Sequence, residues 1–223
     1  MPVLMEFDFQ VTVTLLWRFF GKSMLIFGLT MLFALPLGLF VCACRRSKFK
    51  PLQLLTKLYI SIMRGTPLML QLVVVYFAPY YVFNIKISSD YRFYAVIIGF
   101  ALNYAAYFAE IYRGGIEAIS IGQHEAAQVL GFTKGQTFFR IILPQVIKIV
   151  LPSMTNETIT LVKDTSLAFA ISYVEMFTTA KQCVTSQSSI LPLFVAGVFY
   201  YATNLVIAFL LERLEKKLNY YSR

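Results

Sequence analysis

The chain has 223 residues, of which 58% are hydrophobic and 14% charged, with a formal net charge of +9. Soluble domains are about 45–50% apolar and about 25% charged. A mean hydropathy of +0.68 therefore excludes a soluble globular protein, together with disordered, collagen-like and disulfide-scaffold classes.

The amino terminus carries Glu6 and Asp8 and lacks the basic region of a cleavable signal. The first apolar run is thus expected to stay in the mature protein. A helix needs about 20 mostly apolar residues to cross a hydrocarbon core of about 30 Å. On that rule five spans are expected, at about 20–44, 52–83, 92–112, 141–168 and 190–212, forming one transmembrane domain over 1–223. The first closes at the basic run Arg45-Arg46-Ser47-Lys48, and the fourth is interrupted by charge and by Pro144 and Pro152. Cys42, Cys44 and Cys183 are too few and odd in number for a disulfide framework.

Five spans place the termini on opposite sides, and the basic residues choose the orientation. Fourteen of them, from Arg45 to Arg223, fall on one side; Arg18, Lys22, Lys86, Arg92 and Lys181 fall on the other. The positive-inside rule then puts the N-terminus outside and the C-terminus in the cytoplasm. Lys163 belongs to neither side.

Signs of an enzyme are weak. His124-Glu125 begins like HExxH, but Gln128 stands where the second zinc ligand would be. Gly131-Phe132-Thr133-Lys134-Gly135 has the wrong spacing for a phosphate-cradling loop, so no cofactor is expected on this chain. The basic residues are scattered through short loops, a poor groove for nucleic acid and a sufficient anchor to the inner leaflet. The loop 114–140 holds Ala126, Ala127, Val129, Leu130 and Phe132, the apolar face of a short helix. That face is too small for a core of its own and must dock, on the spans or on a soluble partner. Gly131 is placed to end the helix in a left-handed C-cap.

The spacing in this loop carries a further signal. Glu125-Ala126-Ala127, three residues, Gly131, nine residues, then Ile141-x-Leu143-Pro144 resembles the EAA loop of ABC-type importer permeases. Arg64-Gly65-Thr66-Pro67-Leu68 with Gln71, Ala109-Glu110-Ile111-Tyr112-Arg113-Gly114-Gly115-Ile116 leading to Gly122-Gln123, and Asn156-Glu157 followed by Lys163-Asp164-Thr165-Ser166-Leu167 are similar to segments of the polar amino-acid permeases. The resemblance covers about 64–172. It implies a type I ABC importer permease fold, a multi-pass protein of a bacterial cytoplasmic membrane with a cytoplasmic coupling helix. It implies partners too: cytoplasmic ATP-binding subunits carrying ATP and Mg, a second permease copy or sister chain, and an extracytoplasmic amino-acid-binding protein. It also assigns Glu125 to polar contact with the ATPase, Ala126 and Ala127 to a slim helix that enters its groove, and Gly131 to the turn.

The fourth span holds the candidate substrate site. Ser153, Asn156, Glu157, Thr160, Lys163 and Asp164 recur at three- and four-residue steps and share one helical face. A charge near the bilayer centre costs about 2.5–3.5 kcal/mol, so this face is expected to meet protein or a water-filled cavity. Glu157 suits an ammonium or a cationic side chain, Lys163 a carboxylate, and Asn156, Thr160 and Ser166 orienting hydrogen bonds. Lys163 and Asp164 point about 100° apart and either reach substrate or form structural pairs with other helices. Gln71 either adds to the site or bonds helix to helix. The function expected is ATP-driven import of polar amino acids by alternating access, with another small polar solute, or a non-ATP-driven channel subunit, as the alternatives.

Overall fold

The computed structural model describes residues 8–218, and among these every regular element is helical. Helix α1 spans Phe9–Arg45. It begins well before the expected residue 20 because Asp8 caps it, accepting the Val11 N–H at 2.9 Å. Hydropathy detects only the apolar part, whereas 37 residues at 1.5 Å each reach about 55 Å, longer than the hydrocarbon core.

The expected second span is two helices, α2 (Lys50–Gly65) and α3 (Leu68–Phe83), bent by 113°. Pro67 forces the residue before it out of the helical region, and Thr66 is extended at φ −123° and ψ 151°. The break leaves carbonyls without helical partners. Gln71 supplies them: its Nε2 donates to the Met63 carbonyl at 3.0 Å, the Thr66 carbonyl at 3.1 Å and Thr66 Oγ1 at 2.8 Å. Asn103 Nδ2 in turn donates to Gln71 Oε1 at 2.9 Å and to the Met63 carbonyl at 3.0 Å. Buried backbone groups freed by such a break require internal satisfaction of this kind.

Helix α4 (Tyr91–Glu117) is the buried centre of the chain. Its Phe100, Tyr104 and Phe108 pack with Ile26, Ala34, Leu72 and Leu161 in the main core. At its cytoplasmic end a Cβ on Gly115 would collide with Val150, so glycine lets the next long helix cross close by. Short helices α5 (Ile121–Val129) and α6 (Lys134–Gln136) follow, then a π turn over Thr137–Ile142 and helix α7 (Leu143–Asp164). Pro144 has no N–H for the carbonyl four residues back, and the wider turn is the response. Leu143 N–H reaches the Phe138 carbonyl, and Gln145 Nε2 caps the Ile141 carbonyl at 2.8 Å.

Helix α7 tightens into a 3-10 turn, Thr165–Ile171. The sequence reading placed nothing between it and the last span. The structure puts helix α8 (Met176–Gln187) there, ahead of α9 (Leu191–Leu218). Glu175 starts α8 with no exposed surface. Its carboxylate accepts from Ser23 Oγ of α1 at 3.0 Å, the Phe177 and Thr178 N–H groups at 2.8 and 2.7 Å, Thr178 Oγ1 at 3.0 Å and the Tyr200 hydroxyl of α9 at 3.3 Å. One carboxylate thus joins three helices.

Four helical runs, α1, α4, Lys134–Ile171 and α9, are each long and apolar enough to cross a membrane, and the bent α2–α3 pair makes a fifth if counted as one span. Arrangement with the N-terminus outside is checked by labelling. In a background with the three cysteines replaced, an impermeant outside thiol reagent should modify Ser88→Cys and spare Ser47→Cys. The opposite pattern reverses the orientation.

Candidate functional site: a coupling loop and a polar tract between α2, α4 and α7

The loop ending in Gly131 adopts the geometry its sequence demands. Gly131 has φ +76°, a left-handed value that glycine takes without Cβ strain. Its N–H donates to the Gln128 carbonyl at 3.0 Å and the Phe132 N–H to the Ala127 carbonyl at 3.0 Å, the paired bonds of a Schellman cap. Ala127 is buried at 1% exposure while Glu125 and Ala126 are exposed. Ile121, Val129 and Leu130 are 73%, 88% and 72% exposed, so α5 presents a mixed apolar and acidic face that the described residues leave uncovered. The following turn is firm: Thr133 N–H donates to Gln136 Oε1 at 2.9 Å and Gln136 N–H to Thr133 Oγ1 at 3.3 Å, a reciprocal capping box.

The α7 stripe is real as a face but unequal in its contacts. Asn156 and Lys163 are exposed, and Glu157, Thr160 and Asp164 are half-buried. Val150, Thr158, Leu161 and Val162 of the same helix are buried. Asp164 accepts a hydrogen bond from the Tyr104 hydroxyl at 2.7 Å. Thr160 and Ser166 donate back to the Asn156 and Lys163 carbonyls at 3.0 and 2.8 Å, leaving their oxygens free to accept. Lys163 lies beside Asp164 on the open side. Gln71, by contrast, is not drawn into the stripe, because the α2–α3 break occupies its amide.

The structure adds residues to the site: Glu110 and Arg113 enter the sequence analysis only as motif letters, and Tyr104, Tyr107 and Glu117 not at all. Tyr104, Tyr107, Glu110, Arg113 and Glu117 wind down α4 at three- and four-residue steps, from the buried Tyr104 to the exposed Glu117. The Tyr104 and Tyr107 rings lie 6.1 Å apart. The Arg64 guanidinium sits 5.3 Å from the Tyr107 ring centre and 3.9 Å from Glu110 Oε2. Arg113 grips Glu110 at 2.6 Å from the other side and also pairs with Glu117. Glu157 is within electrostatic reach of Arg64 and Asp164. A continuous polar tract therefore runs from Asp164 and Glu157 down to the start of the loop. Polar and aromatic residues recurring at three- and four-residue steps along an apolar helix are the signal that would have found it.

The shape and motifs have known counterparts. Residues 34–220 match the family model described as the binding-protein-dependent transport system inner membrane component. This chain belongs to that family. Among curated relatives, the putative glutamine transport system permease protein GlnP of Rickettsia felis is 35% identical over 191 residues, covering 85% of this chain and 86% of the relative. The arginine transport system permease protein ArtQ of Bacillus subtilis is 34% identical over 218 residues, covering 96% and 98%. The L-cystine transport system permease protein TcyL of the same organism is 35% identical over 95% of this chain and 89% of its own. A crystal structure of an amino acid ABC transporter with histidines superposes at a TM-score of 0.85, with 30% identity over 96% of this chain and all of that chain.

Membership fixes the division of labour. This is a multi-pass membrane permease, and ATP hydrolysis belongs to a separate subunit in such ABC importers. In this permease α5 and its Gly131 cap are largely exposed. They lie in the connection between α4 and α7, the helices bearing most of the polar tract.

Proposed function

We propose that this chain is the transmembrane permease subunit of an ATP-driven importer of polar amino acids in a bacterial cytoplasmic membrane. It works with a second permease, cytoplasmic ATP-binding subunits that hold ATP and Mg, and an extracytoplasmic amino-acid-binding protein. The observation that carries the reading is the polar face of α7, continuous through the π turn with the uncovered α5.

The geometry supports a simple course of events. α5 seats in the ATPase through Glu125, the slim Ala126-Ala127 edge and the turn at Gly131. Its movement reaches α4 through the 118–120 linker and α7 through the π turn, so both walls of the tract shift together. A face bearing Asn156, Glu157, Thr160, Lys163 and Asp164 is untenable against lipid, and it becomes favourable when it lines a wet pathway between paired permeases. There the groups do distinct work. Glu157 accepts from an ammonium, the Thr160 and Ser166 oxygens and the Asn156 amide orient polar atoms, and Lys163 attracts a carboxylate. Tyr104 fixes Asp164 by a hydrogen bond, so this carboxylate shapes the wall and adds negative charge without being free to turn.

Glu157→Gln and Glu157→Ala test the site in the assembled importer. Removing the charge should lower amino-acid uptake at limiting substrate by about tenfold, the effect of losing one charge-assisted hydrogen bond. Binding of the ATPase subunits should persist. Wild-type uptake of every amino acid tried by both variants would remove Glu157 from the site.

A further inference from the structure

Helix α2 has three chemically different sides. One is buried: Ile60 packs with Val41 and Cys42 of α1 and with Ala106 and Ala109 of α4. A second carries Lys50, Lys57 and Arg64, each seven residues from the next and so about two turns apart, nearly in line. The third is apolar and uncovered among the described residues, with Leu54, Leu55, Leu58 and Ile62 at 68%, 65%, 56% and 48% exposure. A short helix that sets cations beside a bare apolar face is suited to the boundary between membrane and water.

Its surroundings agree. On one flank lies a cleft of about 490 Å³, lined by Arg45, Lys57, Ser61 and Glu110 among others. On the other lies an apolar groove of about 260 Å³, lined by Phe40, Val41, Cys44, Leu52 and Leu55 among others. Helix α1 thus passes the groove first and reaches the cleft at its basic end. Helix α4 keeps the same order: Tyr59, which also lines the groove, donates to the Leu102 carbonyl, whereas Tyr107 and Glu110 border the cleft nearer the loop. Both helices leave an apolar zone for a charged one as they cross α2. Helix α3 runs beside α4, with Leu72 against Gly99 and the Tyr91 hydroxyl on the Val75 carbonyl. The 113° turn between α2 and α3 is past a right angle, so α2 lies across the spans and not along them.

Charge names the occupant. No Asp or Glu occurs between Asp8 and Asp90, while Arg45, Arg46, Lys48, Lys50, Lys57 and Arg64 crowd into 45–64. Glu110, at the border of the cleft, is gripped by Arg113 through both oxygens. Arg64 sits against Tyr107 and Glu110. Arg45 and Lys57 have no ion-pair partner among the described residues. An acid-free basic cluster beside bare leucines matches an anionic headgroup together with its tails, whereas a soluble anion would leave the leucines uncovered. We infer that α2 is an interfacial helix in the leaflet at the Arg45 end, the cytoplasmic one in the orientation read from the basic residues. It builds a site there for an anionic phospholipid, with the phosphate between Arg45 and Lys57 and the acyl chains over Leu54, Leu58 and Ile62. The inference rests on the membrane-permease assignment and holds whatever solute is carried.

The complete importer in lipid nanodiscs tests both halves. In a background with the three cysteines replaced, a nitroxide on Ser61→Cys should be relaxed by a water-soluble nickel chelate, and one on Leu58→Cys by oxygen dissolved in the hydrocarbon. Access of the chelate to both positions, or to neither, overturns the interfacial placement. For the headgroup, spin-labelled phosphatidylglycerol should be held more tightly than spin-labelled phosphatidylcholine. Arg45→Gln and Lys57→Gln should each lower that preference by up to about fivefold, and Lys57→Arg should keep it. A preference absent in the wild type, or unchanged in the Arg45→Gln/Lys57→Gln double variant, overturns the lipid site. Competition by glycerophosphoglycerol, the same head without tails, as effective as that by phosphatidylglycerol makes the cleft a site for a soluble anion and also overturns it.

Discussion

Gly131→Val should yield a permease that inserts and assembles but no longer couples ATP hydrolysis to transport. At φ +76° an L side chain costs about 1–2 kcal/mol, and most for a β-branched one. A Cβ here meets none of the described residues within 4 Å, so the damage is to the turn and to whatever seats against it. Loss of the cap releases the Ala127 and Gln128 carbonyls and redirects Phe132, which alters the exposed end of α5. Substrate-stimulated ATPase activity of the assembled importer should fall to its basal level, with uptake lost in proportion. Gly131→Asn, tolerant of the left-handed region, is the control. Near-normal coupling in that variant identifies the backbone turn as the requirement, whereas loss in both shows that the docking groove rejects any side chain. Normal coupling in Gly131→Val would remove Gly131 from the coupling machinery.

The second large effect is expected at a residue that joins helices of the fold. Glu175→Ala should lower the thermal stability of the protein sharply, because five hydrogen-bond donors from α1, α8 and α9 converge on that carboxylate. An orphaned buried donor costs about 1–3 kcal/mol. Even with partial relaxation the sum should exceed about 3 kcal/mol, or about 6–12 °C in the melting midpoint of a chain this long. Glu175→Gln keeps one acceptor oxygen and should lose less. A melting midpoint of the alanine variant within about 2 °C of wild type, below the shift expected for a single kilocalorie, would show that α8 is held by its apolar contacts instead. Those contacts include Met176 and Ala180 packed on Leu16 and Ala196.

How much was legible in advance follows from which signals are local. Gly131 was readable because a left-handed turn after an apolar edge is specified by a few neighbouring residues, and the structure shows that turn. The α2–α3 break, read in advance as one span over 52–83, was only half within reach of the sequence: a proline at 67 disfavours a helical Thr66, but the 113° angle depends on Gln71 and Asn103 meeting across two helices. The early start of α1 was missed because a hydropathy window stops where apolar residues thin out, while a helix stops only where its cap fails. Helix α8 was missed because its mixed composition carries no span signal. Its start is set by Glu175, whose Ser23 partner is 152 positions away.

The sequence by itself determined that the chain is a helical membrane protein and that a short loop helix ends at Gly131 in a left-handed turn. Each is a matter of composition or of spacing within a short window. Only the tertiary structure decided where the intramembrane polar groups are spent. It assigned Gln71 to the helix break, tied Asp164 to Tyr104 at a separation of 60 residues, and set Arg64 between Tyr107 and Glu110. The physical reason is that a buried polar group must find its partner in space, and no periodicity along the chain states which helix will bring it.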